Sequence, residues 1–231
     1  QAIYMNPREI QIGRGETLHD TAKVMSRYLR GVIIRTFSHK TLEEFARYSS
    51  VPVINGLSDK HHPCQALADL MTILEKKGKL EGIKLAFVGD GNNVANSLIE
   101  ASSIAKIKMK IACPEGYEPA PDVLKRAKGY VEVLNDPFKA VENADVVYTD
   151  VWVSMGQEKE SLKKRKKFKK YQINKEVLEH AKKDAIVMHC MPAHRGEEIT
   201  DEVMDGPQSV VFDQAENRLH TQKALLEFLM S

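Results

Sequence analysis

The sequence is poor in the features that mark secreted, membrane-spanning or disulfide-stapled proteins. Its 231 residues include three cysteines, Cys64, Cys113 and Cys190, an odd number without C-x-x-C spacing, which argues against a disulfide framework and a zinc site. No apolar run approaches the roughly 18 residues of a membrane span, and no charged-then-apolar leader opens the chain. We therefore expect a cytoplasmic protein with reduced thiols and no membrane partner.

A strong excess of charge of one sign is also lacking, because 34 basic residues nearly balance 32 acidic ones, for a net charge of +2. Seven of the basic residues lie within residues 163–170, so the rest of the chain is slightly acidic. This run holds a single aromatic residue, Phe168, and lysine-rich runs are usually a solvated helix face. The composition therefore gives no reason to expect nucleic acid as a partner.

Short apolar runs alternate with segments of helical periodicity along the whole chain. Strands are predicted at residues 2–5, 32–34, 53–54, 85–88, 109–113, 131–134, 146–149, 186–188 and 210–212. This alternation predicts an α/β protein with two domains, each a parallel sheet covered by helices. A polar, glycine-bounded stretch at residues 76–82 separates a first domain, residues 1–75, from a second domain, residues 82–205.

Helix starts are predicted from capping residues. Thr17 and Thr41, each with an acidic residue three positions later, look like N-caps, and Pro63 opens a third helix. The predicted buried stripe of that third helix is Leu67, Leu70, Met71 and Leu74. The last predicted helix, residues 216–230, is expected to pack back on the first domain through Leu219, Ala224, Leu225 and Leu229.

Polar and reactive side chains follow the predicted strands, where ligands of open parallel sheets bind. They are Arg35, His62, Gln65, Asp90, Asn92, Asn93, Asp150, Cys190, Glu216, Asn217 and Arg218. The densest group is the stretch at residues 189–196, which packs a thiol, two imidazoles and a guanidinium into eight residues. Taken singly, each has an ordinary alternative as a helix cap, a surface arginine or a buried cysteine.

The turn at residues 88–94, Val-Gly-Asp-Gly-Asn-Asn-Val, follows a predicted strand and invites a dinucleotide-binding interpretation. The match is weak, because Val94 stands where the third glycine of G-x-G-x-x-G belongs. A nicotinamide-dependent dehydrogenase therefore stays open as an alternative at this point.

Taken together, these residues resemble the ornithine carbamoyltransferase family. The matching pieces are residues 13–16, 20–23, 62–65 (His-Pro-x-Gln), 89–93, 150, 154–156 (Ser-Met-Gly), 189–192 (His-Cys-Met-Pro) and 216–218. The His-Pro-x-Gln and Cys-Pro pieces mark carbamoyltransferases in general, whereas Asp150 with Ser-Met-Gly points to ornithine rather than aspartate. Met191 stands where the family usually has leucine, a volume-conserving change.

The resemblance implies transfer of the carbamoyl group of carbamoyl phosphate to the δ-amine of L-ornithine, giving L-citrulline and phosphate, in arginine biosynthesis or catabolism. It implies no metal and no cofactor. For carbamoyl phosphate it implies a site of Arg35, His62, Gln65, Cys190, Met191 and Arg218. For ornithine it implies Asn93, Asp150, Ser154 and Met155. The residues with catalytic roles by the same resemblance are Arg35, His62, Asp150 and Cys190.

The resemblance also implies a homotrimer or a higher assembly of trimers. The family's Ser-x-Arg-Thr phosphate loop does not occur in the chain, which begins at Gln1 directly before an apolar run. We therefore expect that a segment before Gln1 is missing, that the final helix completes the first domain, and that these residues alone are inactive. Two alternatives stay open: a carbamoyltransferase for putrescine or a modified ornithine, and a silent homologue that acts as a binding protein.

Overall fold

Strands and helices alternate along the described part of the chain, which in this computed structural model is residues 1–6, 15–153 and 161–231, with the backbone only at residue 161. The strands, β1 to β7, are Val32–Arg35, Val53–Leu57, Lys84–Val88, Lys108–Ala112, Val131–Leu134, Val146–Thr149 and Ile186–His189. The α-helices, α1 to α10, are Leu18–Met25, His39–Tyr48, Pro63–Lys77, Asn93–Ile104, Pro121–Arg126, Pro137–Val141, Ser161–Phe168, Lys175–Leu178, Asp201–Met204 and Val211–Met230. The predicted α/β class with parallel sheets is confirmed.

The strands form two parallel sheets. One consists of β1 and β2, with Val32 opposite Val53, and the other has the order β5-β4-β3-β6-β7. Chain order reverses beside β3, because β4 lies on one side of it and β6 on the other. The carboxyl ends of strands at such a reversal form a crevice in which open α/β sheets bind ligands.

The large sheet is buried on both faces, as its nearly continuous apolar strands require. Along β3, Leu85 and Phe87 lie in one apolar core and Ala86 and Val88 in the other. Burying one large side chain such as Phe87 contributes about 1.5–3 kcal/mol. The sheet is therefore a rigid support for the residues that follow its strands.

The last helix, α10, packs chiefly along α3, so the expectation that it packs back on the first domain is confirmed. It begins at Val211 rather than at residue 216. The predicted strand at 210–212 is wrong, because helix α10 starts at Val211 and the described residues before it continue the sheet only by an isolated bridge between Ser209 and Val187. Two backbone hydrogen bonds form that bridge, from Val187 N to Gln208 O and from Val210 N to Val187 O.

The side of α3 that faces α10 is polar, although α3 also buries Ala66, Ala68 and Ile73, and the predicted leucine stripe is wrong in part. Gln65, Asp69 and Thr72 are buried, whereas Leu67 and Leu74 are 41% and 47% exposed. Leu70 and Met71 are half-buried. The physical reason lies in the partner helix, which presents polar side chains to α3.

On α10 the predicted stripe is likewise wrong in part. The buried residues are Val211, Gln214 and Asn217, whereas Leu219 is 61% exposed and Ala224 is exposed. Two helices with polar facing sides pack well only when their side chains hydrogen-bond to each other. The structure shows such bonds, described below.

The beginning of the chain departs from prediction in two places. Residues 2–5 form no strand, and within the described residues no neighbouring strand lies beside them. Thr17 caps α1 as predicted, its Oγ1 accepting from Asp20 N at 3.1 Å. The cap of α2 is Ser38 rather than Thr41, whose backbone N–H donates to Ser38 Oγ.

The predicted domain division at residues 76–82 falls between α3 and β3, where Gly78 ends α3 with a left-handed φ of 70°. Among the described helices, none combines the length and the apolar composition that crossing a bilayer would take.

Candidate active site

The site begins where β3 and β6 end, at the point where strand order reverses. Asn92 follows β3 and caps α4, its Oδ1 accepting from the backbone N–H groups of Val94 and Ala95 at 3.0 and 3.1 Å. Its Nδ2 donates to Oδ2 of Asp150, the buried residue directly after β6, at 2.6 Å. Asn92 therefore ties the two strand ends together.

Cys190 reaches the same carboxylate from the end of β7. Its Sγ donates to Oδ1 of Asp150 at 2.9 Å, and that oxygen also accepts the backbone N–H of Val151 at 2.8 Å. Burial, and then the negative charge of Asp150, raise the pKa of the Cys190 thiol well above its ordinary value. The group is therefore a neutral thiol at physiological pH, whereas a cysteine nucleophile must be ionised.

The residues on either side of Cys190 hold its loop in place. Nδ1 of the fully buried His189 accepts the backbone N–H of Met191 at 2.9 Å, so Nε2 carries the ring proton. That nitrogen lies 3.0 Å from Oε1 of Glu198 and donates to it. The half-buried Met191 has a positive φ of 56°, uncommon for a residue with a side chain.

A second group of side chains lies at the start of α3. His62 precedes the helix, and its backbone N–H donates to Ser97 Oγ at 2.7 Å. Its Nδ1 is buried and has no hydrogen-bond partner in the described residues. Burial, then the positive charges of Arg218 and Arg35, lower the pKa of His62 to about 4. His62 is therefore neutral at physiological pH and can donate one N–H without bringing charge.

Arg218 extends from α10 towards this group. Its Nη1 donates to Oε1 of Gln65 at 2.5 Å, and its Nε is buried without a partner in the part of the chain that the structure describes. Arg35, the last residue of β1, is exposed. Two guanidinium groups near a neutral imidazole favour a ligand with negative charge and several acceptor oxygens.

Asp69 joins the two groups. Its Oδ1 accepts from Gln65 Nε2 at 2.9 Å and from Gln214 Nε2 at 2.7 Å, and its Oδ2 accepts from the hydroxyl of Tyr148 on β6 at 3.2 Å. Burial raises the pKa of Asp69 to about 7, while these hydrogen bonds act to lower it. Gln214 continues the chain of contacts, since its Oε1 accepts the backbone N–H of His189 at 2.9 Å.

Two family models match the chain over nearly its whole length. The model described as aspartate/ornithine carbamoyltransferase, carbamoyl-P binding domain, matches residues 1–75, and the model described as the Asp/Orn binding domain matches residues 81–229. The chain belongs to the aspartate/ornithine carbamoyltransferase family. It is a transferase, and the family assignment made from resemblance is confirmed.

Several similar proteins are named ornithine carbamoyltransferase. An ornithine carbamoyltransferase of Thermococcus kodakarensis is 57% identical over 235 residues, which cover 99% of this chain and 75% of the relative. One of Syntrophus aciditrophicus is 58% identical, with 99% and 77% covered. The solved ornithine carbamoyltransferase from Pyrococcus furiosus superposes with a TM-score of 0.94 at 55% identity, covering 99% of this chain and 75% of that one.

The structure brings most predicted site residues of this carbamoyltransferase into the two groups. Asp150 and Cys190 contact each other, and Gln65 contacts Arg218. Asn93 is turned elsewhere, since its Nδ2 donates to the backbone oxygen of Ser58 at 2.7 Å. The predicted ornithine ligands Ser154 and Met155 lie outside the described residues.

Sequence reasoning missed the residues that connect the two groups. Asp69, Tyr148 and Gln214 are not among the residues selected from the sequence, and Asn92 is selected as a strand-end residue without its contact to Asp150. One signal was present: Asp69 lies four residues after Gln65, so both occupy one side of α3.

The glycine turn after β3 serves packing within the chain. A side chain on Gly91 would lie 2.3 Å from the backbone nitrogen of Pro119, and Gly91 N donates to Tyr117 O at 2.9 Å. In dinucleotide-binding turns this close approach is left to a pyrophosphate. Here the chain's own residues occupy it, so the dinucleotide interpretation loses its structural basis.

The lysine-rich run is not uniformly solvated, contrary to expectation. Lys164 is buried, with its Nζ 2.5 Å from Oδ2 of the buried Asp90. The ammonium also lies 5.3 Å from the ring centre of Tyr117. Asp90, which was predicted as one of the strand-end residues, therefore forms an ion pair with Lys164.

Among the described residues, two clusters have the composition of metal ligands: Asp150, His189 and Cys190, and His194, Glu197 and Glu198. In the first cluster both imidazole nitrogens and the thiol hydrogen-bond within the chain. In the second, Glu197 pairs with Arg165 and Glu198 with His189.

The depressed pKa of His62 gives a measurable pH dependence of stability. Between its ordinary pKa of 6.5 and its folded pKa of about 4, the unfolded chain binds a proton that the folded chain does not. As pH falls through this window, the wild type should lose up to about 3 kcal/mol of unfolding free energy relative to His62→Gln. Denaturant titrations of both proteins at several pH values check this, and a difference independent of pH would contradict it.

Proposed function

We propose that this enzyme transfers the carbamoyl group of carbamoyl phosphate to the δ-amine of L-ornithine, forming L-citrulline and phosphate. The observation that carries the proposal is the pairing of two groups of opposite character. His62 and Arg218 offer donors and positive charge and Gln65 offers an amide oxygen, whereas Asp150 and Cys190 offer a carboxylate and a neutral thiol. The 57% identical relative named ornithine carbamoyltransferase supports ornithine as acceptor.

Carbamoyl phosphate fits the first group. As the amine attacks, negative charge grows on the carbonyl oxygen and on the leaving phosphate, and fixed donors stabilise that charge. Arg35 and Arg218 supply the positive charge for the phosphate. The neutral His62 donates to the carbonyl oxygen, and Oε1 of Gln65 accepts from the carbamoyl amide.

Ornithine fits the second group. The carboxylate of Asp150 pairs with the α-ammonium, which is why a diamine lacking the α-amino acid end is a poorer fit. The Cys190 thiol and the backbone at Met191 lie beside the δ-amine. Since the pKa of Cys190 is raised, we propose that it orients the amine by hydrogen bonding and forms no covalent intermediate. By resemblance, Ser154 and Met155 complete the amino acid site together with Asn93, whose Nδ2 bonds the backbone of Ser58 in the structure.

In the transfer, a bond forms between the δ-nitrogen and the carbamoyl carbon, and the bond between that carbon and the phosphate oxygen breaks. The nitrogen loses a proton, for which the departing phosphate is an available acceptor. We place the reaction in the cytoplasm, in arginine biosynthesis or catabolism. One relative, of Pyrococcus furiosus, bears the name anabolic.

The direct test is product formation by the full-length gene product. With carbamoyl phosphate and L-ornithine it should form citrulline, and with putrescine the rate should be at least about a hundredfold lower, because the α-ammonium contact is lost. A preference for putrescine would favour that alternative. Failure to turn over either amine, with carbamoyl phosphate still bound, would favour a binding protein.

Asp150→Asn separates the two substrates. It removes the charge partner of the α-ammonium, so KM for ornithine should rise by about a hundredfold or more, while KM for carbamoyl phosphate changes far less. Asp145→Asn is the matched control, because Asp145 immediately precedes β6, at its opposite end, and bonds Lys84 N and Lys182 instead. Equal losses for both substrates would assign Asp150 a structural role.

We further propose that the enzyme assembles as a homotrimer or a multiple of it. Large apolar side chains are exposed around β1, Ile33 by 60% and Phe37 by 65%, which supports a partner on that side. Light scattering of the full-length gene product should give three times the mass of one chain or a multiple of that. A monomer at micromolar concentration would overturn the assembly.

A further inference from the structure

The carboxylate of Asp69 receives hydrogen bonds from three parts of the fold. Gln65 donates from α3 itself, Gln214 from α10 and Tyr148 from β6. All four side chains are buried, and Tyr148 also accepts from Gln214 Nε2 at 3.1 Å. Of the proposed substrate ligands, Gln65 contacts Asp69 directly, and Gln214 connects Asp69 to the backbone of His189, the residue before Cys190.

A carboxylate next to a glutamine side chain determines the orientation of the glutamine amide. The amide oxygen and nitrogen have nearly the same shape, so their orientation is set by the partners available. Oδ1 of Asp69 accepts from the amide nitrogens of both Gln65 and Gln214. The Nε2 of Gln65 therefore faces inward, and its Oε1 faces Arg218 at 2.5 Å.

The same carboxylate orients a second amide. Gln214 turns its Nε2 to Asp69, which leaves its Oε1 to accept the backbone N–H of His189, the residue before Cys190. Gln65 therefore depends directly on this buried carboxylate, whereas the strand end at His189 is also held by its pairing with Thr149 of β6.

We propose that Asp69 is a positioning residue for carbamoyl transfer, which holds Oε1 of Gln65 towards the carbamoyl amide of the bound substrate. The inference rests on the proposed function. With Oε1 outward, Gln65 accepts from the carbamoyl N–H₂ and leaves Arg218 to the phosphate. With the amide reversed, two donors would face each other, Gln65 Nε2 and the substrate N–H₂, and binding would weaken.

A purely structural role is the competing explanation, since Asp69 also joins α3 to α10. Thr72 supplies the control. It lies on the same buried side of α3, and its Oγ1 accepts from Asn217 Nδ2 of α10 at 3.0 Å without touching Gln65. Removing the side chain of Asp69 or of Thr72 removes a buried contact between α3 and α10. Only the removal of Asp69 also frees the amide of Gln65.

The experiment compares Asp69→Ala, Asp69→Asn and Thr72→Ala in the full-length gene product, by citrulline formation and thermal unfolding. Both alanine variants should unfold at lower temperature. Asp69→Ala alone should raise KM for carbamoyl phosphate about tenfold or more, with KM for ornithine within about twofold of wild type. Asp69→Asn should raise it about threefold to tenfold, because its single oxygen no longer satisfies every donor.

If Asp69→Ala does not fold, Asp69→Asn decides. Unchanged KM for carbamoyl phosphate in the folded Asp69 variants would overturn the inference while leaving the proposed function intact. So would an equal rise in KM for both substrates, or the same rise in Thr72→Ala. A wild-type protein that forms no citrulline would instead overturn the proposed function, and this inference with it.

Discussion

The contact between α3 and α10 is polar, and the rest of the site depends on it. A buried polar group without a partner costs about 1–3 kcal/mol, so these helices are stable only where their polar groups meet. The alignment of the two helices that lets their polar groups meet places Gln214 beside Asp69 and Asn217 beside Thr72. It also brings Arg218 to Gln65. A contact made of leucines would tolerate sliding by a fraction of a turn, whereas this one fixes the guanidinium beside the amide.

The strands of the large sheet could be predicted from the sequence because of their apolar composition. Residues 85–88 and 146–149 are short apolar runs between turns, and they are buried on both faces as such runs predict. The faces of α3 and α10 could not be predicted in this way. Hydrophobic periodicity assumes that the buried side is the apolar side, and it selected Leu67 and Leu74, which are exposed. Polar side chains of α3 can be buried because α10 supplies their hydrogen-bond partners. These partners are far away in the sequence, and Gln214 lies 145 positions after Asp69.

Which residues form the site could be predicted from the sequence, but how these residues contact one another could not. Strand ends and resemblance together selected Arg35, His62, Gln65, Asp150, Cys190 and Arg218. Apart from the resemblance, nothing in the sequence separated Cys190, whose thiol contacts Asp150, from His189, whose imidazole contacts Glu198. That distinction depends on which side of a strand end each residue occupies. The buried Lys164 shows the same limit, since its neighbours in the run gave no sign that it would pair with Asp90.

The buried polar groups of the site differ in whether they already have a hydrogen-bond partner within the chain. The amides and the carboxylate around Asp69 are paired within the chain, whereas the buried Nδ1 of His62 and Nε of Arg218 have no partner in the described residues. Each such atom lowers the stability of the empty enzyme by about 1–3 kcal/mol. Under the proposed function, both lie where a carbonyl oxygen and a phosphate bind. Negative charge on the carbonyl oxygen is greatest once the amine has added, and charge on the phosphate grows as its bond to carbon breaks, so these donors stabilise the transition state more than the bound substrate. That difference is the condition under which a binding group accelerates a reaction.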